Sequence, residues 1–137
     1  MKKTSTIIRL IFGLALTAFG LMMLTAVMPD PHAAWEKQEG FSLEAKNFIL
    51  DLWDSGYLMH GVAILHLLSG VLLLLNRFVP LALAIHLPVS LQMSLFHFFL
   101  DPKNGIVAFS VLILNGLLMY FYRDSYRQLF ASKSDII

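Results

Sequence analysis

Four long stretches of this chain carry no Asp, Glu, Lys or Arg: Leu10–Met28, Ser55–Asn76, Phe78–Leu100 and Asn104–Tyr122. Each holds 19 residues or more, and at 1.5 Å per residue that is roughly 28 Å or longer, the thickness of a hydrocarbon core. Inside lipid a backbone has no water to pair its N–H and C=O groups, so segments of this length and composition are expected as helices. They set spans at about 10–28, 57–76, 79–100 and 104–122, in a single transmembrane domain over residues 1–137. Composition agrees, since 58% hydrophobic against 14% charged residues is too apolar for a soluble globule of this size. Lys2 and Lys3 ahead of the first run also fit a cleaved leader. The run is longer than a usual leader core, however, and no Ala-x-Ala-like site precedes Pro29, so it is read as a span.

Charge sorts the connections onto two sides. Lys2, Lys3 and Arg9 precede the first span, Arg77 lies between the second and third, and Arg123, Arg127 and Lys133 follow the fourth. The opposite side receives only Lys37, Lys46 and Lys103, together with seven acids: Asp30, Glu36, Glu39, Glu44, Asp51, Asp54 and Asp101. By the positive-inside rule the first side is cytoplasmic, which puts both termini in the cytoplasm of a bacterial inner membrane. The turns Asn76–Pro80 and Asp101–Gly105 are short enough that successive helices must be antiparallel neighbours. The expected fold is therefore an all-α membrane protein, an antiparallel four-helix transmembrane bundle.

The one long connection, 29–56, is external and carries its own helical pattern. Ser42 is positioned as an N-cap for a segment with Leu43, Phe48, Ile49, Leu52 and Trp53 on one side and Glu44, Lys46, Asn47, Asp51 and Asp54 interspersed. This is the pattern of an amphipathic helix at the interface, lying over the bundle between its first two spans. Trp35, Phe41, Trp53 and Tyr57 would anchor it among the outer headgroups, with Tyr120, Tyr122 and Tyr126 doing the same inside.

Polar side chains within the spans are costly unless partnered, so they mark the candidate site. Counting rise from the external ends puts His60 and His97 at similar depth, roughly 5 Å inside the boundary, where they could face one another. The same count puts Thr17, His66, Gln92 and Asn115 at roughly 12–17 Å, one residue from each helix in a central inward layer. This layer has two readings. It fixes helix register through interhelical hydrogen bonds, or it lines a pocket in which His60, His66, Gln92, His97 and Asn115 meet the head group of a quinone or lipid. A metal or haem is the least favoured reading. His97 and Asp101 share a helical face at i, i+4 and His60 could complete a site, but no close His pair on one helix supports it. His86, beside Pro88, is expected to be a local hydrogen-bonder, and Pro88 to leave the Ala84 carbonyl unpaired and kink the third helix.

Small residues show where helices can close up: Gly13, Thr17 and Gly20 on the first span, His66, Ser69 and Gly70 on one face of the second. With no cysteine, the chain can form no disulfide, thiolate-bound zinc, iron–sulfur cluster or CxxC redox pair. A net charge of +1 with no basic patch argues against nucleic acid as a partner.

The run Ser69–Leu83 (SGVLLLLNRFVPLAL), followed by Pro88, Gln92, Phe96-His97 and the Leu100-Asp101-Pro102 turn, resembles the DoxX-like family of small four-helix integral membrane proteins. The opening Arg9–Gly13 and the closing Tyr122-Arg123-Asp124 fit it as well, so the resemblance covers about residues 7–130. It implies kinship with subunits of thiosulfate:quinone oxidoreductase and with membrane components of oxidoreductase complexes. His66 stands where many relatives have a carboxylate and Gln92 where they often have Asn, which weakens any transfer of a proton-handling role. The resulting expectation is a non-enzymatic subunit or anchor of a redox or envelope assembly, with the bilayer, a membrane or periplasmic protein, or a second copy as partners. The alternatives are a catalytic subunit of a quinone-dependent oxidoreductase and, more weakly, a small transporter or channel, which the absence of an inverted repeat disfavours.

Overall fold

The computed structural model describes residues 2–130; Lys133, one of the cations assigned to the inner side, lies outside them. The chain is helical, with no strand among the described residues. α1 (Lys2–Met22) continues into a π-helical turn (Met23–Val27), then come α2 (Pro31–Glu36), α3 (Leu43–Asp54), α4 (Leu58–Leu74), α5 (Val79–Leu100) and α6 (Ile106–Phe121). Short 3-10 segments cover Pro102–Asn104 and Arg123–Phe130.

Among the described residues two helices, Lys3–Val27 and Val79–Leu100, are long and apolar enough to cross a membrane. A third candidate joins α3 and α4, but the two meet at 89°. This corner forms at Ser55–Tyr57, where Gly56 takes a φ of +81° that favours glycine. α6 is apolar but has only 16 residues, about 24 Å of helix. α4 is shorter than its 57–76 expectation because the chain leaves the helix at Leu75 and passes through left-handed Asn76 and Phe78 before α5 begins. α1 starts well before its apolar run, since Lys3–Arg9 contains neither Gly nor Pro to stop it.

α1 packs on α4 in the opposite direction. A Cβ on Gly13 would meet Leu73, Gly70 and Leu74, and one on Gly20 would meet Leu67 and Ala63. The small-residue seam read from the sequence is thus formed, with α1 and α4 in close contact along it. At its lower end Arg9 is buried and donates from Nη1 to the Leu73 carbonyl, which also accepts from the Asn76 N–H at the C-terminus of α4.

Two apolar cores fill the interior. One collects Phe12, Leu16, Leu73, Val79, Leu83 and Leu118; the other collects Met23, Ala45, Ile49, Trp53, Met59 and Phe96. Many large apolar side chains point outward, among them Ile11, Leu14, Phe99, Ile106 and Ile113. In water such a belt would be an aggregation hazard; against acyl chains it costs nothing.

α3 forms as its sequence dictates: Ser42 accepts from the Ala45 N–H at 3.1 Å, the N-cap bond. Ser42 Oγ also donates to the Leu100 carbonyl at 3.0 Å, tying the start of α3 to the end of α5. Ala45, Ile49 and Trp53 are its buried face, whereas Leu43 is exposed. The aromatic residues expected among outer headgroups are mostly turned inward. Trp53 is buried against His60, Trp35 packs edge-on against Phe41, and only Tyr57 is fully outward. The physical reason is that α3 has a core to cover, which removes more apolar surface from water than an interfacial position does. α2 is an addition to the expected elements, formed by the Asp30 cap accepting from Ala33 N–H and by Pro31 in the first turn.

Candidate functional site

Between the two apolar cores lies a buried polar row. His66 on α4 and His86 on α5 face each other, with His86 Nε2 3.0 Å from His66 Nδ1. Asn115 on α6 completes the row, its Nδ2 3.0 Å from His86 Nδ1. All three are no more than 1% exposed. α1 supplies the aromatic cover: Phe12 stands edge-on to His86 and Phe19 edge-on to His66, with ring centroids 5.6 and 5.0 Å apart.

The membership of this row differs from the layer inferred by depth. His66 and Asn115 are in it, but Thr17 and Gln92 are not. Thr17 Oγ1 turns back to donate to the Gly13 carbonyl at 2.8 Å, and Gln92 is exposed. Rise along a helix gives height but not facing direction. Gln92 is six residues from His86, about 240° around α5, and so lies on a different face. His86, expected to be only a local hydrogen-bonder, is instead the centre of the row. A signal for it was present, because His86, Ser90 and Ser94 recur at i, i+4, i+8 and all three are buried. The two serines satisfy themselves on backbone: Ser90 Oγ donates to the Leu87 carbonyl, and Ser94 Oγ to those of Ser90 and Ala108. α5 runs unbroken through Pro88.

Above the row is a cavity of about 410 Å³, roofed by α2 and α3 and walled by α1, α4, α5 and α6. Its wall is mainly apolar, with Phe19, Met23, Val62 and Val89 among its residues. The polar groups reaching it are few: Trp53, His66, Gln92, His97 and Asn104 are among them. This volume and mix are those of a pocket for an amphiphilic small molecule. His66 Nε2 and Trp53 Nε1 are buried and have no hydrogen-bond partner within the protein, a costly state for a polar atom. Ser69 Oγ, His60 Nδ1 and Asn115 Oδ1 share it, although none of these three residues lines the cavity.

His97 belongs to a second group near the outer rim. Its Nδ1 lies 3.3 Å from the Asp101 carbonyl oxygen and 3.4 Å from Asp101 Oδ2, so the i, i+4 pairing read from the sequence is formed. Asn104 Nδ2 donates to Asp101 Oδ1 at 3.1 Å and to the Gly40 carbonyl at 3.3 Å. The result pins the α5–α6 turn to the outer loop. His60 and His97 do not form the facing pair expected from their depth: among the described residues no hydrogen bond or ring contact joins them. His60 is taken by Trp53, and the 5.7 Å separation of their rings leaves it on the α3 side. Among the described residues no group of three or more His, Asp or Glu is placed to hold a metal ion, so His60, His97 and Asp101 are not gathered into one site.

At the opposite end a shallower depression is lined by Met119, Arg123, Tyr126 and Arg127. There Tyr126 Oη donates to the Pro80 carbonyl at 2.7 Å. Burial pushes the Tyr126 phenol up to about 12, because the phenolate loses its hydration. Compared with family models, curated proteins and solved structures, the chain matches none.

Proposed function

We propose that this chain is a DoxX-like inner-membrane protein whose cavity binds the head group of an amphiphile, a quinone or a lipid, and that it serves as a non-enzymatic subunit or anchor of a redox or envelope assembly. In this reading α1, α4, α5 and α6 cross the bilayer as an antiparallel bundle with both termini cytoplasmic. The α2–α3 cap then lies on the periplasmic side. The opposed contacts of α1 with α4 support that arrangement, as do the pairs Ser94–Ala108 and His86–Asn115 across α5 and α6. So does the seven-to-three division of basic residues between the two sides.

One observation carries the binding role: an apolar cavity of about 410 Å³ has in its wall a buried histidine with one nitrogen anchored in a polar row and the other without a protein partner. Register-setting contacts alone would not require His66 Nε2 to be left open beside a cavity. The catalytic alternative draws on His97, whose Asp101 partner is the arrangement that orients a proton acceptor.

Native mass spectrometry of gently solubilised protein tests the binding role. Wild type should carry one amphiphile of defined mass, and His66→Leu should lose most of it, by about 5- to 150-fold in affinity for one buried hydrogen bond. Equal occupancy in both, with only melting temperature changed, would reduce the row to structural glue.

A further inference from the structure

We infer that Asn115 fixes the protons of the polar row so that His66 offers the cavity a hydrogen-bond donor, which with the Trp53 indole N–H selects an amphiphile whose head carries carbonyl oxygens. This rests on the cavity being a binding site. The amide nitrogen of Asn115 faces His86 Nδ1 at 3.0 Å and can only donate. His86 Nδ1 therefore accepts and carries no proton. An imidazole with a bare Nδ1 has its proton on Nε2, and His86 Nε2 lies 3.0 Å from His66 Nδ1. His66 Nδ1 must then be the acceptor, which leaves the proton of His66 on Nε2, the nitrogen without a protein partner. Two rings and one amide thus pass a direction from α6 to the cavity wall.

Trp53 adds to the same polarity. An indole nitrogen is a donor only; Trp53 lines the cavity, and its Nε1 is buried with no partner within the protein. The two unpartnered buried nitrogens among the cavity-lining residues, one on the α4 wall and one on the α3 roof, are both N–H groups. Carbonyl oxygen is their complement, and it has two sources here: the ring of an oxidised quinone and the ester of an acyl lipid. A hydroxyl head group is disfavoured, because its own proton would need an acceptor that these atoms do not supply. The row ends on a side-chain amide, which does not titrate, so it orients His66 and conducts no proton.

Asn115 is accordingly a positioning residue. Neither it nor His86 lines the cavity, so its effect on a ligand travels through the histidine pair. The orientation of its amide decides everything downstream: the reversed amide would reverse each bond in the row and make His66 Nε2 an acceptor.

The first measurement needs no variant and no ligand. Solid-state NMR of 15N-histidine-labelled protein in bilayers identifies the pair by the correlation across the His86–His66 hydrogen bond. The expected spectrum shows both Nε2 atoms protonated and both Nδ1 atoms bare. A protonated His66 Nδ1 would overturn the inference while leaving the cavity free to bind something else. The second measurement titrates decylubiquinone, its hydroquinone and a diacylglycerol into wild type and Asn115→Leu. Wild type should bind at least one carbonyl probe, the quinone about 5-fold or more tighter than the hydroquinone, and Asn115→Leu should narrow that preference. Tighter binding by quinone or by diacylglycerol names the source of the carbonyl. Binding of neither would refute the cavity reading itself, whatever the tautomers. A quinone preference unchanged in Asn115→Leu would refute the positioning role.

Discussion

Adding one methyl group at Gly70 tests the helix seam on which the site is built. A Cβ there would lie 2.5 Å from the Thr17 backbone nitrogen and Oγ1 and 2.8 Å from the Gly13 carbonyl oxygen, where ordinary contacts are 3.4–4 Å. Two of those three atoms belong to the α1 backbone and cannot rotate away, so α1 and α4 must part by roughly 1 Å. Overpacking of this kind costs about 1–3 kcal/mol. Against it stands the better helix propensity of alanine, worth up to about 1 kcal/mol. That gain is removed by comparison with Gly61→Ala and Gly116→Ala, helical positions where a Cβ meets nothing within 4 Å. Unfolding in mixed detergent micelles, followed by circular dichroism, should place Gly70→Ala about 1–3 kcal/mol below both controls. Thr17→Ala should rescue only part of the loss, because it removes the hydroxyl and leaves the backbone. If Gly70→Ala matched Gly61→Ala, the close α1–α4 packing would be wrong, and with it the placement of Phe12 and Phe19 over the polar row.

Other outcomes follow from individual contacts. Tyr126→Phe should lose the bond to Pro80 and about 0.5–1.5 kcal/mol. Because the folded phenol is raised from 10.0 to about 12, the stability of wild type should hold below pH 10 and fall between pH 10 and 12, where the unfolded chain ionises first; Tyr126→Phe should flatten that fall. Ser42→Ala removes both the α3 cap and the tie to Leu100, so hydrogen exchange in α3 should rise by the equivalent of about 1 kcal/mol while α5 is little changed. With no native cysteine to interfere, single cysteines at Ser5 and Glu39 can be probed with an impermeant thiol reagent in intact spheroplasts. Only the Glu39 site should label; labelling at Ser5 would reverse the orientation.

How much of this was legible in the sequence depended on whether the signal was one-dimensional. The four uncharged stretches became helices, two of them long enough to cross a membrane, because backbone pairing and apolar composition are both local demands. Ser42 capped α3 for the same reason. α2 also had a local signal in Asp30-Pro31, a cap followed by a first-turn proline, and it could have been read. Helix facing is different, since it depends on how neighbours turn and tilt. Depth counting correctly put His66 and Asn115 in the interior but admitted to their layer Thr17, which bonds to its own helix, and Gln92, which lines the cavity from another face of α5. It also passed over His86, although the stripe His86, Ser90, Ser94 marked the buried face of α5. Trp53 went from a supposed anchor to a cavity wall because an amphipathic helix over a bundle has two apolar environments to choose from. Sequence alone does not say which is nearer.

If the cavity beneath α2 and α3 holds a specific amphiphile, photo-crosslinking from its wall will capture it. A photoreactive residue at Val62, which lines the cavity, is compared with one at the outward-facing Ile113, which does not. After irradiation in native membranes and mass analysis, Val62 should yield one dominant adduct of a carbonyl-bearing amphiphile, reduced in His66→Leu. Ile113 should yield the phospholipid mixture of the bulk bilayer. The same phospholipid mixture at both positions, unchanged by His66→Leu, would contradict a binding cavity and leave a bundle whose polar row only sets helix register.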